Sequence, residues 1–311
     1  MCPAKKYRLV TRGDMDGLAS AILLRDLDLI DEITFAHPKD VQDGLVELTE
    51  RDITTNLPYV RAVHLCFDHH YSETLRLDTR PPNYILNASA PSAARVLYDF
   101  YGGRARFPGI PEGMMEAVDK SDSARFTEQE ILHPAGWDLL SFIMDVRTGL
   151  GRFGSFRVSD YTLMMDLIAH ARALPIADIL ELPGVKERTE LYFQLEAPFK
   201  EQLRRCSTVH GNLVVLDLRG EQTIYPGNRF MIYSLFPKCE LSMHVLRGEK
   251  NENTMFAVGK SVLNRCSPLR IGALMLEYGG GGHAEVGACQ VANERADQVK
   301  QELIERLTAA G

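Results

Sequence analysis

The chain has 311 residues, of which 45% are hydrophobic and 25% charged, the balance of an ordinary soluble globular protein with apolar material for two cores. Its net charge of −7 argues against a broad basic surface for duplex DNA, while leaving room for a small anionic substrate met at a metal site. The longest apolar runs, such as Ala19–Leu24, are far too short for a membrane span, and the basic start Met1–Arg8 lacks the apolar stretch of a signal peptide, so the expectation is a cytoplasmic protein with no membrane partner.

Tyr7–Thr11 predicts a short apolar strand, followed by a turn over Arg12–Asp16 and a helix over Gly17–Leu27, where Leu18, Ile22 and Leu23 recur at helical spacing. Glu32–Ala36 predicts a second strand, Lys39–Leu45 a short helix and Ala62–Phe67 a third strand. Ala90–Tyr101 and Glu112–Val118 read as helices separated by a Gly- and Pro-rich loop. Strands alternating with helices predict an α/β fold with a parallel sheet packed between helices, and ligands at the carboxyl ends of its strands. From Trp137 to about Ser207 the pattern is mostly helical, and Val185–Cys206 can form one long helix bridging two domains. Strands are then expected over Asn212–Leu218, Leu241–Leu246, Met255–Val262 and Glu285–Val291, with helices over Leu269–Tyr278 and Glu294–Ala309. The expected organisation is a first domain over 1–184, a helical linker over 185–210 and a smaller α/β domain over 211–311. Cys2, Cys66, Cys206, Cys239, Cys266 and Cys289 are scattered singly, without zinc-ribbon or redox spacing, and read as reduced, mostly buried thiols.

Three acidic clusters carry chemistry: Asp14-Met15-Asp16-Gly17 after the first strand, Asp68-His69-His70 after the third, and Asp119-Lys120-Ser121-Asp122 after a helix. Asp-x-Asp-Gly by itself is most often a turn, and Asp119 and Asp122 by themselves read as a solvated helix end. The signal lies in the combination on one parallel sheet, where carboxylates and imidazoles can converge on one crevice. Such a set suits Mn²⁺, Fe²⁺, Co²⁺ or Zn²⁺ better than Ca²⁺ or Mg²⁺.

This order of motifs, followed by Gly279–Gly282 and His283, resembles the DHH (Asp-His-His) phosphoesterases with their C-terminal DHH-associated domain, over about residues 7–126 and 212–292. That family includes a single-strand DNA exonuclease, oligoribonucleases, cyclic-dinucleotide phosphodiesterases and exopolyphosphatases. The resemblance implies a metal-dependent phosphohydrolase with its active site in an interdomain cleft. Asp14 would bind a first metal and Asp16 a second, with Asp52, 16 residues before Asp68, bridging both. His69 would ligate the second metal, His70 contact the phosphate or leaving oxygen, and Asp68 orient the two histidines. Asp122-Ser123-Ala124-Arg125-Phe126 resembles the fourth motif, which favours Asp122 over Asp119 as the last ligand. Lys260, Arg265, Gly280, Gly281, Gly282 and His283 would grip the substrate phosphates.

The family pattern places a histidine two or four residues before the first Asp, where this chain has Arg12 and Val10. The expectation is therefore one tight divalent metal, Mn²⁺ in the first instance, with the second weak or brought by substrate, and Arg12 supplying charge in its place. His37 and His64 stand near strand ends as substitutes, each more simply an ordinary polar residue. The loop Arg147–Arg152 touches substrate or merely connects helices, an even choice. The expected substrate is a small phosphorylated molecule of the short-nucleotide type (nanoRNA, phosphoadenosine phosphate or a cyclic dinucleotide), a short single-stranded oligonucleotide included, with no duplex DNA and with a homodimer left open. Exopolyphosphate cleavage is the alternative, and a non-catalytic nucleotide-binding protein the second alternative. Tyr225, Phe230, Tyr233 and Phe236 are candidate base-stacking residues without a place.

Overall fold

Leu9 and Val10 are both fully buried although successive strand residues face opposite ways, so the strand that holds them is covered on both faces. This strand, β1 (Tyr7–Thr11), pairs in parallel with β2 (Ile30–Phe35) and β3 (Asp52–Thr55). β4 (Leu65–Asp68) and β5 (Tyr84–Leu86) continue the sheet, also in parallel, in the order β2-β1-β3-β4-β5. The order reverses between β1 and β3, the point at which open α/β sheets leave a ligand crevice beyond their strand ends.

The computed structural model describes residues 6–70, 79–248 and 251–309. It falls into two units, Met1–Arg125 with Pro134–Leu191, and Phe126–His133 with Tyr192–Gly311. The long helix expected over Val185–Cys206 runs Pro183–Arg205, and the division falls inside it, between Leu191 and Tyr192. Among the described residues no helix is long and apolar enough to cross a membrane. Cys66, Cys239 and Cys289 are buried thiols, Cys266 is exposed, and Cys2 lies outside the described residues.

Two helices differ from expectation in ways that matter for the site. The helix expected from Gly17 runs Met15–Asp26, because the Asp14 carboxylate accepts from the Gly17 amide at 3.1 Å and caps it. Asp16 thus sits in its first turn rather than in a loop. Every residue from Met15 to Leu24 is buried, as befits a helix covered all round. The helix expected over Glu112–Val118 continues to Ser123 and stops at Ala124 in the left-handed region, φ 54°. Asp119 and Asp122 are therefore helical, three residues apart on neighbouring positions of one face.

The second unit is built on a mixed sheet: β6 (Ser207–His210), β7 (Leu213–Asp217), β8 (Leu241–Arg247), β9 (Asn253–Lys260), β10 (Gly281–Gly282) and β11 (Val286–Ala292). The order is β10-β11-β9-β8-β7-β6, with β7 and β8 parallel and the other pairs antiparallel. Leu241, Met243 and Val245 alternate onto one face with Phe256 and Val258. The helix Ala296–Thr308 covers them with Val299, Leu303 and Leu307, and Ile271 and Met275 complete the core.

Burial pushes the His244 imidazole down to about 4. An unfolded histidine titrates near ~6.5, so between those values the unfolded chain binds more protons than the folded one, and stability rises with pH. The unit should lose stability as pH falls from about 6.5 towards about 4. Urea unfolding at pH 7 and pH 5 checks this. The wild type should show a lower midpoint at pH 5, and His244→Gln a smaller drop than the wild type.

Candidate metal centre

Asp16, His69 and Asp122 each offer a ligand atom, all three within 4.8 Å of one another, although they come from a helix start, a strand end and a helix end. Among the described residues no other three His, Cys, Asp or Glu side chains do so. His69 Nε2 and Asp122 Oδ2 lie 2.7 Å apart, yet both atoms are buried without a partner in hydrogen-bonding geometry. A cation shared by these two ligand atoms would satisfy both. One imidazole and two carboxylates suit a divalent transition metal.

The surrounding residues hold these ligands. His69 Nδ1 lies 3.2 Å from the Ala90 carbonyl; donating there makes Nε2 the unprotonated ring nitrogen required of a metal ligand. Asp68, fully buried, accepts from the backbone amides of His69 and His70 at 2.8 and 3.2 Å and pairs with His70 Nδ1 at 2.7 Å. Tyr84 donates its hydroxyl to the other Asp68 oxygen at 2.7 Å. Asp68 holds the His70 ring and the backbone at His69, and is itself held by Tyr84 of β5, a strand too short to read from sequence. The Asp16 carboxylate accepts from the Ala93 and Ala94 amides at 3.0 and 2.6 Å, at the start of the helix Ala93–Phe100. Each carboxylate oxygen keeps a second lone pair for a cation.

Asp119 does not join the cluster. Ser92 donates to it at 2.8 Å and Arg95 clamps it at 2.9 and 2.6 Å, so it ties two helices together, and Asp122 alone of that pair meets His69.

Electrostatics shows what the cluster lacks. Burial, with Asp122 close by, pushes the Asp16 carboxyl well above the usual carboxylate range. Burial likewise raises Asp14, against the pull of Arg12. Asp122 is held low by His69 despite its burial. Burial would lower the His69 imidazole, but Asp122 and Asp16 hold it up at about 9. A bound divalent cation relieves this crowding of acids and takes the place of the imidazole proton.

One expectation is corrected. Asp52 does not reach the cluster. It begins β3, at the amino end of the sheet, and its carboxylate is occupied by Arg8 at 2.7 and 3.0 Å and the Thr49 amide at 2.6 Å. Spacing from Asp68 selected it, but in a parallel strand only the carboxyl end faces the crevice. The residue there is Asn56, which sequence reading missed. Neither His37 nor His64 replaces the missing imidazole: His37 caps the helix Pro38–Gln42, and His64 stacks on Tyr7 at 4.1 Å. Arg12 pairs with Asp14, Nε to Oδ2, at 3.2 Å.

Arg147 is fixed by Asp145 at 2.7 Å, and its charge is felt at both Asp14 and Asp122. With Gly13, its loop lines a cavity of about 160 Å³ that also includes Leu163 and Phe156. The loop therefore lies beside Gly13, the residue that precedes the first motif.

In the second unit, Lys260 ends β9 opposite the start of β11, near the glycine turn, and pairs with Glu285 at 3.2 Å. Arg265 Nε donates to the Val262 carbonyl at 3.2 Å. The glycines have a packing reason. A Cβ on Gly280 would lie 2.0 Å from the Ala288 carbonyl oxygen, and one on Gly282 2.3 Å from that of Val286, with Gly282 at φ 148°. Gly281 is open, and His283 is exposed beside it.

A solved structure of a pGpG-specific phosphodiesterase, PggH from Vibrio cholerae, is 56% identical to this chain, with a TM-score of 0.87, over 98% of this chain and 100% of that one. The chain belongs to the DHH phosphoesterase family. It is a phosphohydrolase of that family. RecJ from Thermus thermophilus, solved with Mn²⁺, shares the DHH fold at 16% identity and TM-score 0.52, over 97% of this chain and 52% of that one. CDC45 from Entamoeba histolytica does so at 9% identity and TM-score 0.51, over 98% of this chain and 96% of that one. No protein-family model and no curated protein matches the chain.

Proposed function

We propose that this DHH phosphoesterase hydrolyses the linear dinucleotide pGpG to two molecules of GMP, using one Mn²⁺ held by Asp16, His69 and Asp122. The observation that carries the substrate is the 56% identity to the pGpG-specific enzyme across essentially the whole of both chains. When bound, the cation supplies a Lewis acid for the phosphoryl oxygens and lowers the pKa of water. The protein does the rest. Asp68 fixes the His70 ring through Nδ1, so proton exchange with the leaving oxygen goes through Nε2. Arg12 and Arg147 bring positive charge to the edge where phosphoryl charge develops.

The test is product release by purified protein with Mn²⁺, supplied separately with pGpG, other 5′-phosphorylated dinucleotides, cyclic di-GMP and polyphosphate. GMP from pGpG at a rate well above all others is the expected result. Comparable rates on polyphosphate, or none on pGpG, would refute the proposal.

A further inference from the structure

Asn56 lies one residue past β3, at the reversal in strand order. Thr11 and Thr55 join the ends of β1 and β3 through their hydroxyls, 2.7 Å apart. β3 pairs Thr54 with Val10 and Thr55 with Phe67. Continued by one or two residues, that register sets Asn56 between Arg12 and Asp68, in the gap between the first two acidic motifs. The Asn56 backbone N–H donates to the Phe67 carbonyl at 3.1 Å and holds the residue there. The residue is 1% exposed, and among the described residues neither its side-chain oxygen nor its nitrogen has a hydrogen-bond partner. A buried amide with unsatisfied ends is costly, and an anionic oxygen accepting from its N–H₂ recovers the donor's share of that cost. Its φ of 55° lies in the left-handed region, which Asn, Asp and Gly tolerate best.

We propose that Asn56 makes this a one-cation site by binding a phosphoryl oxygen of the substrate where a carboxylate would complete a second cation position with Asp14. The proposal rests on the reading above that Asp16, His69 and Asp122 hold the first cation. The charges support it. Asp14 pairs with the Arg12 guanidinium at 3.2 Å, and the Arg147 charge also reaches it. A neutral amide contributes no charge to draw a second cation against those two arginines. Its N–H₂ donates to an anionic oxygen, as the arginines do, so this half of the crevice is built to receive phosphate rather than metal.

Two substitutions keep the backbone conformation. Asn56→Asp preserves shape and adds charge; Asn56→Gly removes the amide without strain at positive φ. Bound Mn²⁺ per chain is measured by elemental analysis after equilibration with excess Mn²⁺, and inorganic phosphate binding to the Mn²⁺-loaded protein by calorimetry. Expected are one ion in the wild type and in Asn56→Gly, a count rising towards two in Asn56→Asp, and phosphate affinity about 10- to 100-fold weaker in Asn56→Gly. Two tightly held ions in the wild type, an unchanged count in Asn56→Asp, or unchanged phosphate binding in Asn56→Gly would overturn the proposal. If His69→Ala retains the wild-type ion, the underlying metal site is wrong instead, which separates the two failures.

Discussion

His69→Ala should reduce hydrolysis by at least about a thousandfold while leaving the chain folded. The loss follows from removing one of three ligands to a cation whose charge stabilisation is worth several kcal/mol, at ~1.4 kcal/mol per decade. The fold should survive because His69 is a ligand rather than a member of the apolar core, and among the described residues its ring contacts only the Ala90 carbonyl at 3.2 Å, Asp122 at 2.7 Å and the His70 ring. Asp16→Ala is the harsher change. It also strips the Ala93 and Ala94 amides of their shared acceptor at a helix start, leaving two buried donors. That should cost about 2–4 kcal/mol in stability beyond the loss of metal. Thermal unfolding of both variants, with metal content and rate, separates the two effects. A near-wild-type rate in His69→Ala would move the site elsewhere.

Gly17→Ala should be among the most damaging single methyl additions in the first unit. Helix propensity alone favours alanine by ~1 kcal/mol. Here, however, the added Cβ would lie 1.9 Å from the Arg12 carbonyl oxygen and 3.0 Å from Thr11 Oγ1. The clash is with backbone, so either the helix start or the end of β1 must move, at a cost of about 3 kcal/mol that outweighs the propensity gain. Asp14 and Asp16 flank that contact and would move with it. Denaturant unfolding and Mn²⁺ titration should show lower stability and weaker binding together. Retention of both would mean that the close approach of helix and strand is not required.

The parts legible in the sequence were those that follow from local pattern. Leu18, Ile22 and Leu23 recur at helical spacing after the first acidic motif, and Asp68, His69 and His70 end a strand of apolar residues. The alternation of Leu241, Met243 and Val245 marks their strand at period two. What could not be read depended on pairing between distant segments. Asp52 and Asn56 are four residues apart, and only the direction and register of β3 show that the first, at its amino end, is spent on Arg8 and that the second follows its carboxyl end. Asp119 and Asp122 differ only by which neighbour each meets, Arg95 or His69. The glycines after Tyr278 look like a phosphate cradle in sequence; the close approach of β10 to β11 gives Gly280 and Gly282 a packing reason that composition cannot reveal.

The most direct measurement is the anomalous difference map of a crystal grown with Mn²⁺. The account predicts one peak, bounded by His69 Nε2 and carboxylate oxygens of Asp16 and Asp122, and none between Asp14 and Asn56. A peak at Asp14 and Asn56, at Asp52, or no peak near His69 would contradict it.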